Sequence, residues 1–258
     1  MRKFTLAILF VVISAVVVIP ATEAAITGRA VGSASNSHIT QFPYEVSIRR
    51  RFCDACAYEH YCSGTIYSTN VVITSASCVK GADIRRTNVV AATSKRSASA
   101  HDGQVYLVEK IIEHENSDID IALLHLSSNL KFNELTLDRV ILATEQPKAG
   151  EKAWVAGWGL LSEFEANFDD NLKAIQVPIM DLSECRKAYF WTEVKHTELC
   201  AGFMKGGVDA CQGDAGSPLM VKDKMVGLVS WGYGCARPGN PGVYTNVVML
   251  RDWITENA

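Results

Sequence analysis

Beyond its first two dozen positions, the chain of 258 residues contains no run of 18 apolar side chains. Nothing there is long enough to cross a bilayer as a helix. No self-similar period of roughly 20–50 residues, low-complexity tract or Pro-rich linker occurs, which excludes solenoids and disordered tethers. Charge of one sign is lacking too: 25 Lys and Arg against 28 Asp and Glu leave a net charge of −3. That argues against nucleic acid as a partner held by a broad basic surface. No Asn-x-Ser/Thr acceptor is present, so N-glycosylation is not expected. Helical periodicity is scarce. The 8 cysteines are too few for a disulfide-dense mini-scaffold. What remains, 48% hydrophobic and 21% charged residues, is ordinary globular composition for one large or two small domains.

The N-terminus is distinct. Arg2 and Lys3 precede an apolar run from Leu6 to Ile19, and Thr22-Glu23-Ala24 ends in a small residue. This is the pattern of a secretory signal peptide over residues 1–24, too short for a comfortable span. The mature chain is therefore expected to be secreted, with no membrane contact after signal removal, into an environment where disulfides persist. Residues 25–29 read as a short pro-segment ending at Arg29, a lone basic residue after Gly28.

Short β-rich runs recur along the rest: Tyr44–Ile48, Val71–Thr74, Val105–Ile112, Ile119–Leu126, Lys152–Trp158, Lys224–Trp231 and Val243–Val247. Gly, Asn, Asp and Ser clusters separate them, as in sandwiches and barrels. The end differs. Val247, Leu250 and Ile254 recur at helical spacing beside Trp253, which predicts an amphipathic helix over 247–258.

Four segments carry more. They are Tyr61-Cys62-Ser63-Gly64-Thr65-Ile66 with Val72-Ile73-Thr74-Ser75-Ala76-Ser77-Cys78; Asp118-Ile119-Asp120-Ile121-Ala122-Leu123-Leu124; Asp209-Ala210-Cys211-Gln212-Gly213-Asp214-Ala215-Gly216-Ser217-Pro218-Leu219; and Ser230-Trp231-Gly232-Tyr233-Gly234-Cys235 with Pro241-Gly242-Val243-Tyr244. In this order, and with Gln41-Phe42-Pro43-Tyr44-Glu45-Val46-Ser47-Ile48 ahead of them, they resemble the chymotrypsin/trypsin family of serine proteases, most closely its insect-type members. The resemblance runs from Ala30 to the C-terminus. It implies an all-β fold of two antiparallel six-stranded barrels, roughly 30–141 and 142–246, and a final helix. It implies disulfides Cys62–Cys78, Cys185–Cys200 and Cys211–Cys235. Ala153 and Val221 stand where many members have another pair. Cys53 and Cys56 are left for each other. Their C-x-x-C spacing also admits redox or zinc readings, but no βαβ context or four-ligand set accompanies it.

Serine proteolysis needs a Ser nucleophile, a His base and an Asp that orients the His. Of the three matching positions here, only Asp120 carries the family residue. Ser77 stands at the base position and Ala215 at the nucleophile position. Ser217 and His60 are the nearest substitutes in sequence, and neither matches a catalytic position. The reading from these residues is that the chain is not an enzyme.

Other family positions are filled. Backbone N–H groups at Gly213 and Ala215 match the oxyanion hole, which a side-chain change leaves intact. Asp209 matches the acid at the floor of the trypsin-type specificity pocket, and Gly232 and Gly242 the glycines that keep it open. Ser230, Trp231 and Gly232 match the strand along which a bound chain pairs its backbone. A carboxylate there suits an Arg or Lys side chain. The activation switch is half-kept: Arg29 matches the cut site and Asp214 the acid that receives the new terminus, but Ala30 replaces a large aliphatic residue, and each buried CH₂ is worth about 0.8 kcal/mol. A second alignment of the terminus, beginning at Ile26, lacks a basic residue before the cut.

The function expected is recognition of Arg- or Lys-bearing secreted proteins, active proteases or their inhibitors among them, as a decoy or cofactor. Residual or unorthodox endopeptidase activity and a structural role with a relic pocket are the alternatives. No cofactor, metal or calcium site is expected. Arg49-Arg50-Arg51, Arg85-Arg86 and Lys95-Arg96 read as solvated charge.

Overall fold

The structure is a computed structural model that describes residues 34–98 and 102–258. The signal and pro-segment readings, with Arg29 and Ala30, lie outside the described residues. Short strands dominate because the apolar runs are brief, β-branched and broken by turn residues. Within β4 (Val71–Thr74) all four residues are buried. Along β6 (Gln104–Glu113), Tyr106 and Val108 point inward between exposed neighbours, the period of two that one covered sheet face imposes.

Barrel one closes in the order β2 (Glu45–Arg50), β3 (Glu59–Ile66), β4, β7 (Ala122–Leu126), β6 and β5 (Thr87–Ala91). Its interior packs Val46, Ile48, Ile66, Val89 and Leu124. The second sheet runs β10 (Lys173–Pro178), β9 (Lys152–Gly157), β12 (Pro218–Val221), β13 (Lys224–Trp231), β14 (Gly242–Asn246) and β11 (Glu198–Ala201). A single bridge, Ile179 to Ala201, returns β11 to the end of β10. Met180 N donates to the Cys200 carbonyl (2.8 Å) and Gly202 N to the Pro178 carbonyl (3.0 Å), so this ring also closes. Two-residue strands extend it: β1 (Ser35–Asn36) beside β10 and β8 (Ile141–Leu142) beside β13. The two-barrel, all-β expectation stands.

A further apolar cluster draws on both barrels, with Val71, Ile73 and Leu123 from one and Met220, Met225 and Leu228 from the other. The C-terminal helix seals it. That helix spans Arg251–Asn257, shorter than 247–258. Ile254 is buried from the helix, Val247 and Leu250 from the turn ahead of it. Four disulfides form: Cys53–Cys56, Cys62–Cys78, Cys185–Cys200 and Cys211–Cys235. Cys53 and Cys56 therefore bind each other rather than zinc. Ala153 and Val221 are cross-strand partners of β9 and β12 and both are buried. Apolar packing occupies that position. Among the described residues, no helix is long and apolar enough to cross a membrane.

Candidate active site

The site lies where the barrels meet. Ser77 sits in a one-turn helix, α1 (Ala76–Val79), leading into Cys78. Its backbone N–H donates to Asp120 Oδ1 at 2.7 Å and its hydroxyl to Asp120 Oδ2 at 3.2 Å. Ser230, on β13, donates its hydroxyl to the same Oδ2 at 2.6 Å. Three donors thus fix the Asp120 carboxylate, and the Ser77 hydroxyl is committed to it.

Ala215 follows a tight loop. Gly213 adopts φ +99° and Gly216 φ +87°, conformations that L side chains rarely reach. At Gly216 a Cβ would also fall 2.2 Å from the Ser63 carbonyl oxygen. Barrel one holds this loop: Ser63 N donates to the Ala215 carbonyl (2.9 Å) and Ser63 Oγ to the Gly213 carbonyl (3.3 Å). From within barrel two, Asp214 accepts from Gly159 N (2.8 Å) and Cys211 N (3.0 Å). Burial lifts the Asp214 pKa to about 6.

His60 belongs to the same support. Its Nε2 is 3.0 Å from the Gly213 carbonyl oxygen, which only accepts, so Nε2 carries the proton. Nδ1 then accepts from Ser47 Oγ at 2.8 Å. Burial lowers the imidazole pKa to about 4, so it stays neutral in place. Ser217 is likewise committed, its hydroxyl donating at 3.0 Å to Oε1 of Glu45. The fully buried Glu45 carboxyl is pushed well above its ordinary pKa by desolvation. Sequence reasoning singled out His60 and Ser217 but missed Glu45. The only signal for it was an acid within an otherwise inward-facing run.

Beside Ala215 opens a pocket of about 250 Å³. Asp209, Ala215, Ser230, Trp231, Gly232 and Gly242 all line it. Six positions chosen from sequence thus share one cavity. Gly213 stands in the adjoining loop. Asp209 makes two modest bonds, from Ala210 N at 2.9 Å and Ala236 N at 3.4 Å. Desolvation, with a small contribution from Asp214, raises its pKa to about 7. The phenol of Tyr244 is buried near it without a hydrogen-bond partner. A Cβ at Gly242 would sit 2.6 Å from Asp209 Oδ1, so glycine there keeps the acid accessible. The rim carries an aromatic wall, Trp231 edge-on to Tyr189 with centroids 5.0 Å apart. Arg237 clamps the far rim by pairing with Glu163 at 2.6 Å. Among the described residues no cluster of metal ligands occurs.

A model of the Trypsin family matches residues 31–254. Trypsin eta of Drosophila melanogaster is 40% identical over 243 residues, covering 92% of this chain and 91% of the relative. Trypsin-1 of Astacus astacus is 40% identical over 230 residues, 84% of this chain and 95% of that one. Hypodermin-B of Hypoderma lineatum is 38% identical over 238 residues, 90% and 88% of the two chains. The expectation that the chain is not an enzyme is corrected by these comparisons: it was drawn from Ser77 and Ala215 alone, whereas relatives along nearly the whole chain are named trypsins. On the family model matched over residues 31–254 and the 40% identity to those relatives over most of both chains, the chain belongs to the trypsin family of serine proteases.

Proposed function

We propose that this trypsin-family protein is secreted and binds an arginine or lysine side chain of a polypeptide in the pocket floored by Asp209. One observation carries the reading: a single carboxylate, raised to about 7 by burial, stands at the end of an otherwise uncharged pocket of about 250 Å³. A guanidinium entering there supplies the counter-charge and two parallel N–H donors that the acid lacks. The N-terminal pattern and four disulfides support export. Partners of matching chemistry are secreted proteases and inhibitor loops that present a basic residue. Cleavage after Arg29 would release a terminus for Asp214. Benzamidine titrated into the folded protein tests the pocket. Binding that is lost in Asp209→Asn supports the reading, and no binding at millimolar concentration overturns it.

Serine-type endopeptidase action on the bound chain is the second reading, favoured by the relatives named trypsins. Asp120 and the backbone N–H groups of Gly213 and Ala215 are its remaining machinery. An arginine-amide substrate and a covalent serine probe test it directly.

A further inference from the structure

The C-x-x-C pair of the sequence takes no part in the pocket. Its loop joins β2 to β3, and both Cys53 and Cys56 are exposed residues. The other disulfides are far less open. Cys62 and Cys78 are 6% and 1% exposed, Cys185 and Cys200 both 0%, and Cys211 8%. Cys235 is half-buried. A thiolate must reach a sulfur before it can displace the other, so access ranks Cys53–Cys56 ahead of the remaining three.

The same bond contributes least to the fold. Its cysteines stand 3 positions apart, against 16, 15 and 24 in the other bonds. The shorter the closed loop, the less freedom a disulfide removes from the unfolded chain. Other tethers hold this loop as well. Arg51 N donates to the Arg86 carbonyl at 3.0 Å, and Cys56 N to the Cys53 carbonyl at 3.1 Å. The Tyr58 hydroxyl donates to the Arg85 carbonyl at 3.1 Å. Arg86 pairs with Asp54 at 3.1 Å. The β2–β3 ladder ends at Arg50 and Glu59, before either cysteine is reached. Opening the bond therefore leaves the hairpin paired. His60 and Ser63, which hold the Gly213 and Ala215 carbonyls from β3, stay in place.

Charge at the loop suits an anionic nucleophile. Asp54 and Asp83 are spent on Arg86 and Arg85. Arg51, two residues before Cys53, makes no ion pair within 4 Å among the described residues; it donates to the Asp54 carbonyl at 2.9 Å and lies 5.0 Å from the Tyr58 ring centroid. A cation beside a disulfide draws the incoming thiolate and stabilises the one that leaves.

We propose that Cys53–Cys56 is a thiol–disulfide exchange site for low-molecular thiols, opening and closing on the folded protein while the other three disulfides stay shut. The thiolate of an external thiol attacks one of the two sulfurs. A bond forms between them, the Cys53–Cys56 bond breaks, and its electron pair leaves on the other cysteine, which takes up a proton. A second external thiolate attacks the sulfur of the first and releases the protein's remaining cysteine as a thiol. Two external thiols are thereby oxidised to one disulfide, and Cys53 and Cys56 are reduced to a dithiol.

The test treats the folded mature chain with millimolar reduced glutathione at pH 8, quenches with iodoacetamide and maps the labelled peptides. Label is expected on Cys53 and Cys56 about tenfold or more ahead of any other cysteine, with the near-ultraviolet circular dichroism unchanged. Excess oxidised glutathione should restore the bond. Arg51→Gln should slow the reduction about threefold at low salt, a difference that fades at high ionic strength. The double variant Cys53→Ser, Cys56→Ser should keep the native circular dichroism and consume no glutathione. Labelling of another pair first or at the same rate overturns the proposal. So does reduction that proceeds only as the native signal is lost, or a double variant that fails to fold, since either makes the bond a structural staple.

Discussion

The protonation of Asp209 gives the pocket reading a quantitative consequence. In the free protein the carboxyl ionises at about 7 because burial removes its water and only two backbone N–H groups face it. An amidinium ligand binds the ionised form, so binding below this pKa must first expel a proton. With a free pKa of about 7, roughly a tenth of the protein is competent at pH 6 and roughly nine-tenths at pH 8, by the linkage of ionisation to binding. Benzamidine should therefore tighten about tenfold between pH 6 and pH 8, or about 1.4 kcal/mol. Below pH 6 the dissociation constant should rise about tenfold per pH unit. Among the other pocket-lining groups, Tyr244 is raised well above the ordinary tyrosine range and does not titrate there. Asp214 ionises at about 6 but is enclosed by its two amide donors outside this pocket. Calorimetry in buffers of different ionisation enthalpy measures the released proton directly. About half a proton should leave at pH 7 and almost none at pH 9. Asp209→Asn should flatten the profile and weaken binding by about 10–100-fold, the worth of a charged hydrogen bond. Affinity that is flat from pH 6 to pH 8 in the unaltered protein would refute the reasoning.

Three further outcomes follow from the same geometry. The pair Ser77→His and Ala215→Ser, on a site where Asp120 is already held by Ser230 at 2.6 Å, should raise arginine-amide turnover by about 10³-fold or more, and each single change far less, because triad members act as a unit. Turnover unchanged in the pair would show that the loop around Ala215 is not shaped for attack. Gly157→Ala places a Cβ 2.1 Å from Asp214 Oδ1. It should destabilise the protein by about 2–4 kcal/mol and weaken benzamidine, read by urea denaturation and calorimetry. His60, neutral in the fold with a pKa of about 4 against 6.5 unfolded, contributes stability present above pH 6.5 and lost as pH falls through about 4, roughly 3 kcal/mol in all. The buried acids Asp209 and Asp214 oppose this, since their raised values favour the folded state as pH falls from about 7 and about 6. His60→Gln removes only the first effect, so its denaturation midpoint should fall less between pH 7 and pH 4 than that of the unaltered chain.

Much of the fold was legible because the strands are short and apolar. All seven β-rich runs became strands. Two of those that escaped lack the pattern. The strand Glu59–Ile66 mixes Ser, Gly and Cys, because its Gly64 lies 2.9 Å, at Cβ, from Val72 and admits no side chain. Lys173–Pro178 ends in a proline. The terminal helix begins at Arg251 because residues 247–250 form the turn that buries Val247 and Leu250. At the site, motif positions led to Asp209, Ser230 and Gly242 in one pocket. The support beneath them, Glu45 with Ser217 and Ser47 with His60, joins residues 172 and 13 positions apart. Only the closed barrels bring those together. The enzyme reading shows the complementary weakness: two side chains were made to speak for a whole chain whose relatives are named trypsins.

The closure of the second barrel has a dynamic corollary. The other seams of that ring are ladders of two to six paired residues, while β10 meets β11 through one bridge and two flanking hydrogen bonds. Amide protons of Met180 and Gly202 should therefore exchange with solvent earlier than those of the neighbouring ladders. The Cys185–Cys200 bond ties β11 to the α-helix Leu182–Ala188 and limits how far this seam opens. On its other side, Ala201 pairs with Gly242 of the pocket wall. The weakest joint of the ring thus lies one strand away from the wall of the cavity above Asp209.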